Sequence, residues 1–442
     1  LRLSSISKVL GRAGRGRAAL LVVALGLLAA LMLSACGSSG GSSSSASEST
    51  STSESSGSET TGSESSGGES TSGEPIGVMG LGTFEGTVAY PEAPPAFEAQ
   101  VQKLNEAGGI EGREIDLTIC NDQGNPQVAS HCAQEAVEKH DVAVMGSYSV
   151  QAAAFLPILE SAHIAYIGAD ASQTIEETSP NSFPLENQYQ LYGSVGYAAG
   201  TKGCKKAALI TENYGAATKA EDEVSDKAFE ASPDGEEVVK RVEVGSSNTD
   251  YAPPVATMLS AGAECIIAPL PPEELPKLIS SIEQSSDPEA AVAVTANSVP
   301  AEELKSLGSQ AEGMLVGSAG FVPGAAESPK SVTETIAQIE AFDSSAEINA
   351  FSLTATAAVK TVAHVLEELK GEISAESFLK GAGEIEEFET GLAAPFTTTK
   401  PGPIPGKPRL FTMQVLAYEV INGVETPITK EFVNLGPTVF AG

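Results

Sequence analysis

From residue 75 onward, short apolar runs alternate with amphipathic stretches, and this alternation constrains the fold more than any other feature of the chain. Strand-like runs at 76–81, 114–120, 142–145 and 164–167 are separated by helix-like segments at 92–107, 126–139 and 150–161. Strands with a helix between each pair run parallel through right-handed crossovers, so this segment predicts a parallel sheet covered by helices. The first helix should stop at Gly108-Gly109-Ile110, a glycine C-cap with an apolar residue after it, as in a Schellman ending. The rhythm breaks at 181–187 and then restarts. Helices at 188–200, 216–231, 251–261 and 272–284 alternate with strands at 207–211, 238–244, 265–268 and 291–295, which predicts a second sheet. Helices follow at 331–342, 346–370 and 375–382, and 411–422 reads as a hairpin arm. Aromatic residues are only 5% and Trp is absent, so both cores must be built from Ala, Val, Ile and Leu.

Open α/β sheets bind ligands beyond the carboxyl ends of their strands. The loop Gly146-Ser147-Tyr148-Ser149 lies between a strand end and a helix start. Its hydroxyls and the free N–H groups of the helix make a receptor for a carboxylate. It also reads as an ordinary helix start with Ser149 as N-cap. Asp122 follows another strand and either faces the cleft or orders the turn at 124–126. The acidic run 221–226 reads as a solvated helix face. His131, His140, His163 and His364 are scattered, with no H-E-x-x-H among them, and no catalytic residue, metal site or cofactor is predicted.

Ahead of residue 75 the chain reads as an address and a tether. Arg2, Lys8, Arg12, Arg15 and Arg17 precede an apolar stretch at 18–33, so residues 1–35 read as a bacterial secretory signal. It ends in Leu33-Ser34-Ala35-Cys36-Gly37, which resembles the lipobox of bacterial lipoproteins and makes Cys36 the candidate lipidation site. After Cys36, the segment 36–74 is almost entirely Ser, Gly, Thr and Glu, the composition of a disordered tether. Such a tether spans roughly 130 Å fully stretched and about 35 Å on average. Gly37-Ser38-Ser39-Gly40-Gly41 satisfies the serine-hydrolase elbow pattern but lacks the strand and helix that make an elbow.

Secretion implies an oxidising compartment, where the four cysteines after Cys36 suggest two disulfides with three ways to pair. Pairing Cys120 with Cys132 closes a short loop between a strand end and the next helix, and leaves Cys204–Cys265. The alternative groups Cys120 and Cys132 with His131 around a metal, but the usual four-ligand spacing is missing. With 58 acidic against 25 basic residues and a formal charge of −33, the chain repels phosphate backbones, which argues against nucleic acid as a partner.

Seven short motifs occur in order: Ile76-Gly77-Val78-Met79-Gly80, Asn105 to Arg113, Cys120-Asn121-Asp122 with Gly124-Asn125-Pro126, Gly146 to Ser149, Asn213-Tyr214-Gly215, Thr249-Asp250-Tyr251 and Gly313-Met314-Leu315-Val316. Together they resemble the branched-chain amino-acid-binding family, the type I periplasmic solute-binding lipoproteins of bacterial ABC importers, from residue 75 to the C-terminus. The resemblance implies an α/β, two-lobed, periplasmic-binding-protein-like fold of type I, with parallel sheets flanked by helices. Three hinge crossings should fall near 184–187, 318–321 and 395–397. The N-terminal lobe would comprise 75–186 plus 320–395, and the C-terminal lobe 187–319 plus 396–442.

By the same resemblance Ser147 binds the ligand carboxylate, with Tyr148 and Ser149 beside it. Ala169 contributes a backbone carbonyl, Tyr214 an aromatic ring on the second lobe, and Tyr90 lies near a first-lobe aromatic. Two positions depart from the family. The threonine set against the ligand's amino group aligns with Ala171, next to Ser172, and the second-lobe carboxylate that holds the ammonium falls at Asn297. A neutral Asn297 predicts weaker binding of simple zwitterionic amino acids than of a carboxylate or amide without an ammonium, unless Asp122 or Asp170 supplies the charge.

The expected function is that of a monomeric, lipid-anchored solute-binding protein on the extracytoplasmic face of a bacterial membrane. It would deliver a small polar solute, a branched-chain amino acid or a related carboxylate or amide, to the permease of an ABC importer. Two rivals are a receptor subunit for a signalling partner and a lipid-anchored hydrolase using Ser147 or Ser149. The hydrolase lacks a recognisable base.

Overall fold

The computed structural model describes residues 73–86, 89–146, 148–168, 170–213 and 216–440. The secretory segment, Cys36 and nearly all of the tether lie outside the described residues, as do Ser147, Ala169 and Tyr214.

The first series runs β1 (Ile76–Gly82), α1 (Ala93–Glu106), β2 (Ile115–Asn121), α2 (Pro126–Lys139), β3 (Ala143–Gly146), α3 (Ala152–Ser161) and β4 (Ala165–Gly168). Short pieces follow: β5 (Asp170–Ala171), α4 (Thr174–Thr178), β6 (Ser182–Phe183) and β7 (Glu186–Asn187). The strands form a parallel sheet in the order β2-β1-β3-β4-β6. The alternation seen in the sequence is therefore a set of crossovers, as expected. The end of α1 also follows its sequence: Gly109 N–H donates to Leu104 and Gly108 N–H to Asn105, with Gly108 at φ +106°, and Ile110 is buried behind them. At α2, Asn125 caps the N-H groups of Gln127 and Val128, and Pro126 occupies the first turn, where it loses no hydrogen bond.

The second series runs α5 (Gln188–Ala199), β8 (Lys206–Glu212), α6 (Ala216–Glu230), β9 (Glu237–Val244), α7 (Ala252–Ser260), β10 (Cys265–Ile267), α8 (Leu275–Glu283), β11 (Ala291–Thr295), α9 (Ala301–Leu307) and β12 (Leu315–Ser318). The chain then forms α10 (Lys330–Phe342), α11 (Ala350–Glu368) and α12 (Ala375–Ala382), which pack on α1, β3 and β4 of the first sheet. It returns through β13 (Gln414–Ile421), β14 (Val424–Pro427), β15 (Val433–Asn434) and α13 (Gly436–Val439). The second sheet is ordered β14-β13-β12-β11-β10-β8-β9, with β15 on β13; β13 and its hairpin partner are antiparallel.

Each sheet is packed on both faces. Phe97, Val359 and Leu366 cover one side of the first, Phe155, Leu156 and Ala133 the other. Met258, Leu278 and Leu304 cover one side of the second, Val195, Ala199 and Phe229 the other. Small residues let the helices sit close. A Cβ on Gly80 would come within 2.9 Å of Phe97 on α1, and one on Gly317 within 2.4 Å of the Ser194 backbone on α5.

The chain passes between the two sheets three times: from β6 to α5, from β12 to α10, and from α12 to β13. Side-chain amides join these crossings. Asn187 Nδ2 donates to the Thr412 carbonyl at 3.1 Å, Gln190 Nε2 to the Ala319 and Gln414 carbonyls, and Gln414 Nε2 to Pro395 at 3.0 Å. The third crossing also grips the first lobe. Arg409 lies with its guanidinium 4.3 Å from the Phe183 ring centre and 4.7 Å from that of Phe411, donates to the Ser182 carbonyl at 2.7 Å, and takes its backbone partner from Glu177. Lys407 pairs with Glu177.

Disulfides join Cys120 to Cys132 and Cys204 to Cys265, with Cα–Cα distances of 5.8 and 6.1 Å. Both sulfurs of the alternative with His131 are thereby engaged. No helix among the described residues is long and apolar enough to cross a membrane.

Candidate functional site

The loops after β1, β2 and β3 are tied into one unit at the C-terminal edge of the first sheet. Thr83 N–H donates to the Tyr148 carbonyl at 3.2 Å, and Tyr90 N–H to the Thr83 carbonyl at 2.8 Å. At the centre lies Asp122, fully buried. One carboxylate oxygen accepts from the Thr83 hydroxyl at 2.6 Å and from Gly124 N–H at 2.8 Å; the other accepts from the Ser149 hydroxyl. Ser149 in turn accepts from Gln151 N–H at 3.0 Å at the entry to α3. The hydroxyl of Ser149 is occupied inside the lobe, and Asp122 both orders the turn before α2 and braces two further loops.

Tyr148 and Tyr90 lie on the outer side of this brace. Their ring centres are 4.6 Å apart, and Phe351 in the first turn of α11 stands 4.7 Å from Tyr90. Burial, then the nearby Asp170 charge, pushes the Tyr148 hydroxyl up to about 12. Burial raises Tyr90 as well, with Tyr148 and Asp170 adding to it.

Beyond β4 the chain forms a two-stranded ladder in which Asp170 pairs with Glu186 and Ala171 with Asn187. The methyl group of Ala171, buried, belongs to an apolar cluster with Tyr189, Val224, Leu410 and Met413, so this position packs elements of both sheets and the third crossing. Ser172 is half-buried; its N–H and that of Gln173 donate to Glu176 Oε2 at 3.1 and 3.0 Å. Asp170 itself is only 4% exposed. Its Oδ2 accepts from Gln188 Nε2 at 2.6 Å, whereas Oδ1 has no hydrogen-bond partner among the described residues. Burial, then Glu186, Glu176 and Glu221, pushes its carboxyl well above the usual carboxylate range, against the pull of Gln188.

Across from this edge, α5 and α6 present Tyr192 and Glu221, both buried. Burial, then Asp222 and Glu177, pushes Glu221 up to about 7, with Lys407 acting in the opposite sense. Glu221, on the second series, acts electrostatically on both Asp170 and Tyr148 of the first and raises each. Asn297 stands half-buried on the turn Ala296–Ser298 after β11, beside the hydrogen-bonded hydroxyls of Thr295 and Ser298.

The run 221–226 departs from its expected role as a solvated face: Glu221, Asp222 and Asp226 are buried. Helix α6 is covered by α5, so its acids point into packed structure, where Asp226 meets Arg241 and Asp222 meets Thr211. Phe351, Glu186, Gln188 and Tyr192 carry no motif, which is why the sequence did not single them out, and Glu221 was read only as part of a solvated face. The buried acids gathered at this edge are hydrogen-bond acceptors when ionised, and Tyr90 and Tyr148 add aromatic rings beside Phe351. Among the described residues no group of three or more His, Cys, Asp or Glu is arranged to hold a metal ion.

The sequence profile of the periplasmic binding protein family matches residues 75–415. No curated protein matches the chain in sequence. Solved structures share its fold. An ABC transporter substrate-binding protein from Sphaerobacter thermophilus superposes with a TM-score of 0.66 at 18% identity, covering 81% of this chain and 98% of that one. A solute-binding protein of R. palustris in complex with 4-hydroxybenzoate gives 0.64 at 20% identity, over 81% and 97% of the two chains. The branched-chain amino acid transporter substrate binding protein of Streptococcus pneumoniae, in complex with isoleucine, gives 0.64 at 17% identity, over 81% and 99%.

Proposed function

We infer a binding function from one premise: the chain belongs to the periplasmic binding protein family, whose profile it matches from residue 75 to residue 415. It captures a small polar solute in the cleft between two lobes, 75–186 with 320–395 and 187–319 with 396–442. The loaded, closed form docks on the permease of an ABC importer. The observation that carries this reading is the pair of helix-covered sheets crossed three times by the chain, with Tyr148 and Asp170, from the loops of one sheet, acted on by the charge of Glu221 from a helix of the other. Such crossings let two rigid lobes close while the side chains between them change partners.

The solute class is an amino acid or a related carboxylate or amide. The loop 146–149 opens at the N-terminus of α3, which favours an anionic group, and Ser147 and Ala169 are proposed to face it. Tyr214 and Asn297 are proposed to close on it from the second lobe. Lipidation of Cys36 anchors the monomer on the extracytoplasmic side, so Cys36→Ser should move the protein to the soluble fraction; retention in the membrane fraction refutes the anchor.

The binding reading is tested on protein purified without added ligand. Mass spectrometry of the denatured protein should reveal a released small molecule. Adding it back to refolded protein should raise Tm and shrink the radius of gyration in small-angle X-ray scattering. A protein that releases nothing, and that no amino acid, carboxylate or amide compacts or stabilises, is not a solute-binding protein.

A further inference from the structure

We propose that Asp170 is the seat of a positively charged group of the solute, so that the cleft takes amines and amino acids in preference to carboxylates that lack a cationic group. The inference deepens the binding reading above and rests on it. A buried carboxylate is stable when its oxygens are filled with donors, and Asp122 shows what that looks like in the same lobe. Asp170 has one donor, Gln188, and a buried Oδ1 with none among the described residues. The charge of Asp170 acts on both Tyr90 and Tyr148, whose ring centres are 4.6 Å apart.

The charged neighbours of Asp170 are acids. Glu186 faces it across the β5–β7 ladder, Glu176 comes from α4 and Glu221 from α6, while Lys407 is engaged with Glu177 and the ring of Tyr189, 4.8 Å away. A group entering here meets carboxyl groups that burial holds toward their protonated form and that a cation draws into ionisation, whereas an unaccompanied carboxylate finds no compensating charge among them. An ammonium placed on Oδ1 supplies the missing donor and pairs with the carboxylate that forms as the proton leaves. The neutral Asn297 then sets no bar to a zwitterion, because the compensating carboxylate stands on the first lobe.

Proton linkage follows from the same geometry. Burial, then Glu186, Glu176 and Glu221, favour the protonated form of Asp170 when no solute is present. A cation favours the ionised form, so binding releases that proton to solvent. The test is calorimetry on refolded protein with leucine, phenylalanine and arginine, each beside its decarboxylated amine and its deaminated acid. At least one amino acid or amine should bind more tightly than its matched acid, with a heat that varies with the buffer's ionisation enthalpy. Asp170→Asn should keep the Tm of the parent and lose affinity by about thirtyfold or more; Asp170→Ser serves if the amide variant fails to fold. Tighter binding of the acids, or full affinity in the variant, overturns the inference while leaving a solute-binding protein. Failure of every amine and amino acid to bind overturns it too, and the released-solute measurement reports on the binding reading separately.

Discussion

Asp122 and Asp170 occupy comparable places in the first lobe, each just beyond the carboxyl end of a parallel strand, and each is almost wholly removed from water. Their surroundings differ. Asp122 gathers a threonine hydroxyl, a serine hydroxyl and a backbone N–H from three separate loops. Asp170 gathers one amide and a ring of other acids. The difference teaches that burial by itself does not say what a carboxylate is for. A buried acid whose acceptors are filled is a structural node, whereas one left short of donors is poised for a group that the folded chain does not contain.

The strongest way to break this comparison is to delete both carboxylates. Asp122→Ala strands the Thr83 and Ser149 hydroxyls and the Gly124 N–H inside the lobe, and should cost about 3 kcal/mol or more in urea unfolding. Asp170→Ala, in the absence of solute, should change stability by less than about 1 kcal/mol, because removing an acid from among acids offsets the lost Gln188 contact. Equal losses would erase the distinction.

The disulfide beneath Asp122 comes next. Cys120 lies two residues before Asp122 on β2 and is joined to Cys132 with a sequence separation of 12. Loop-closure entropy assigns such a bond about 3 kcal/mol, so Cys120→Ser with Cys132→Ser should lower the urea midpoint while leaving solute affinity within about twofold. A large affinity loss would show that the brace and the binding edge are not separate.

pH acts through the acids around Asp170. Glu186 and Glu221 are pushed up to about 7 and Glu176 up to about 8, each chiefly by burial. Between the ordinary carboxylate range near 4 and these raised values, the folded state holds more protons than the unfolded one. Stability is therefore full below about pH 4 and is lost as pH rises toward 8. Thermal scans of the ligand-free protein should show Tm falling by roughly 5 °C from pH 5 to pH 8. Asp170→Asn should flatten that slope, since it removes both a raised group and a source of the shifts at its neighbours. A Tm that climbs over this range would contradict the raised titration ranges of these buried acids.

The smallest effect is expected at Ser149. Ser149→Ala removes one donor to Asp122 and the acceptor for Gln151 N–H, worth about 1–2 kcal/mol together, and should leave solute binding almost unchanged. A selective loss of affinity at unaltered Tm would instead place this hydroxyl in contact with the solute.

Much of the architecture was legible because it is written in local pattern. Apolar runs separated by amphipathic helices specify parallel crossovers whatever surrounds them, and Gly108-Gly109-Ile110 specifies its Schellman turn through backbone sterics. Helix α9 and the strand β12 escaped notice, although β12 lies inside the second sheet: its Leu315-Val316 pair is followed by Gly317 and Ser318, so it lacks the apolar run that marks β3 and β4. The loop cluster at the edge of the first sheet was only half legible. Gly146 to Ser149 announced a loop at a strand end, but the use of Ser149 depended on Asp122, 27 residues away.

Only the tertiary structure decided which acids are buried and which of those are paired. Helix α6 has an acidic face in sequence, and nothing local reveals that α5 packs over it. Lys407 reaches Glu177 across 230 positions, and Gln188 reaches Asp170 across 18. Local propensity depends on neighbours along the chain, so the sequence by itself determined the elements and their order. A carboxylate's protonation and its appetite for a partner depend on desolvation and on charges brought together by folding, and those are properties of the packed molecule.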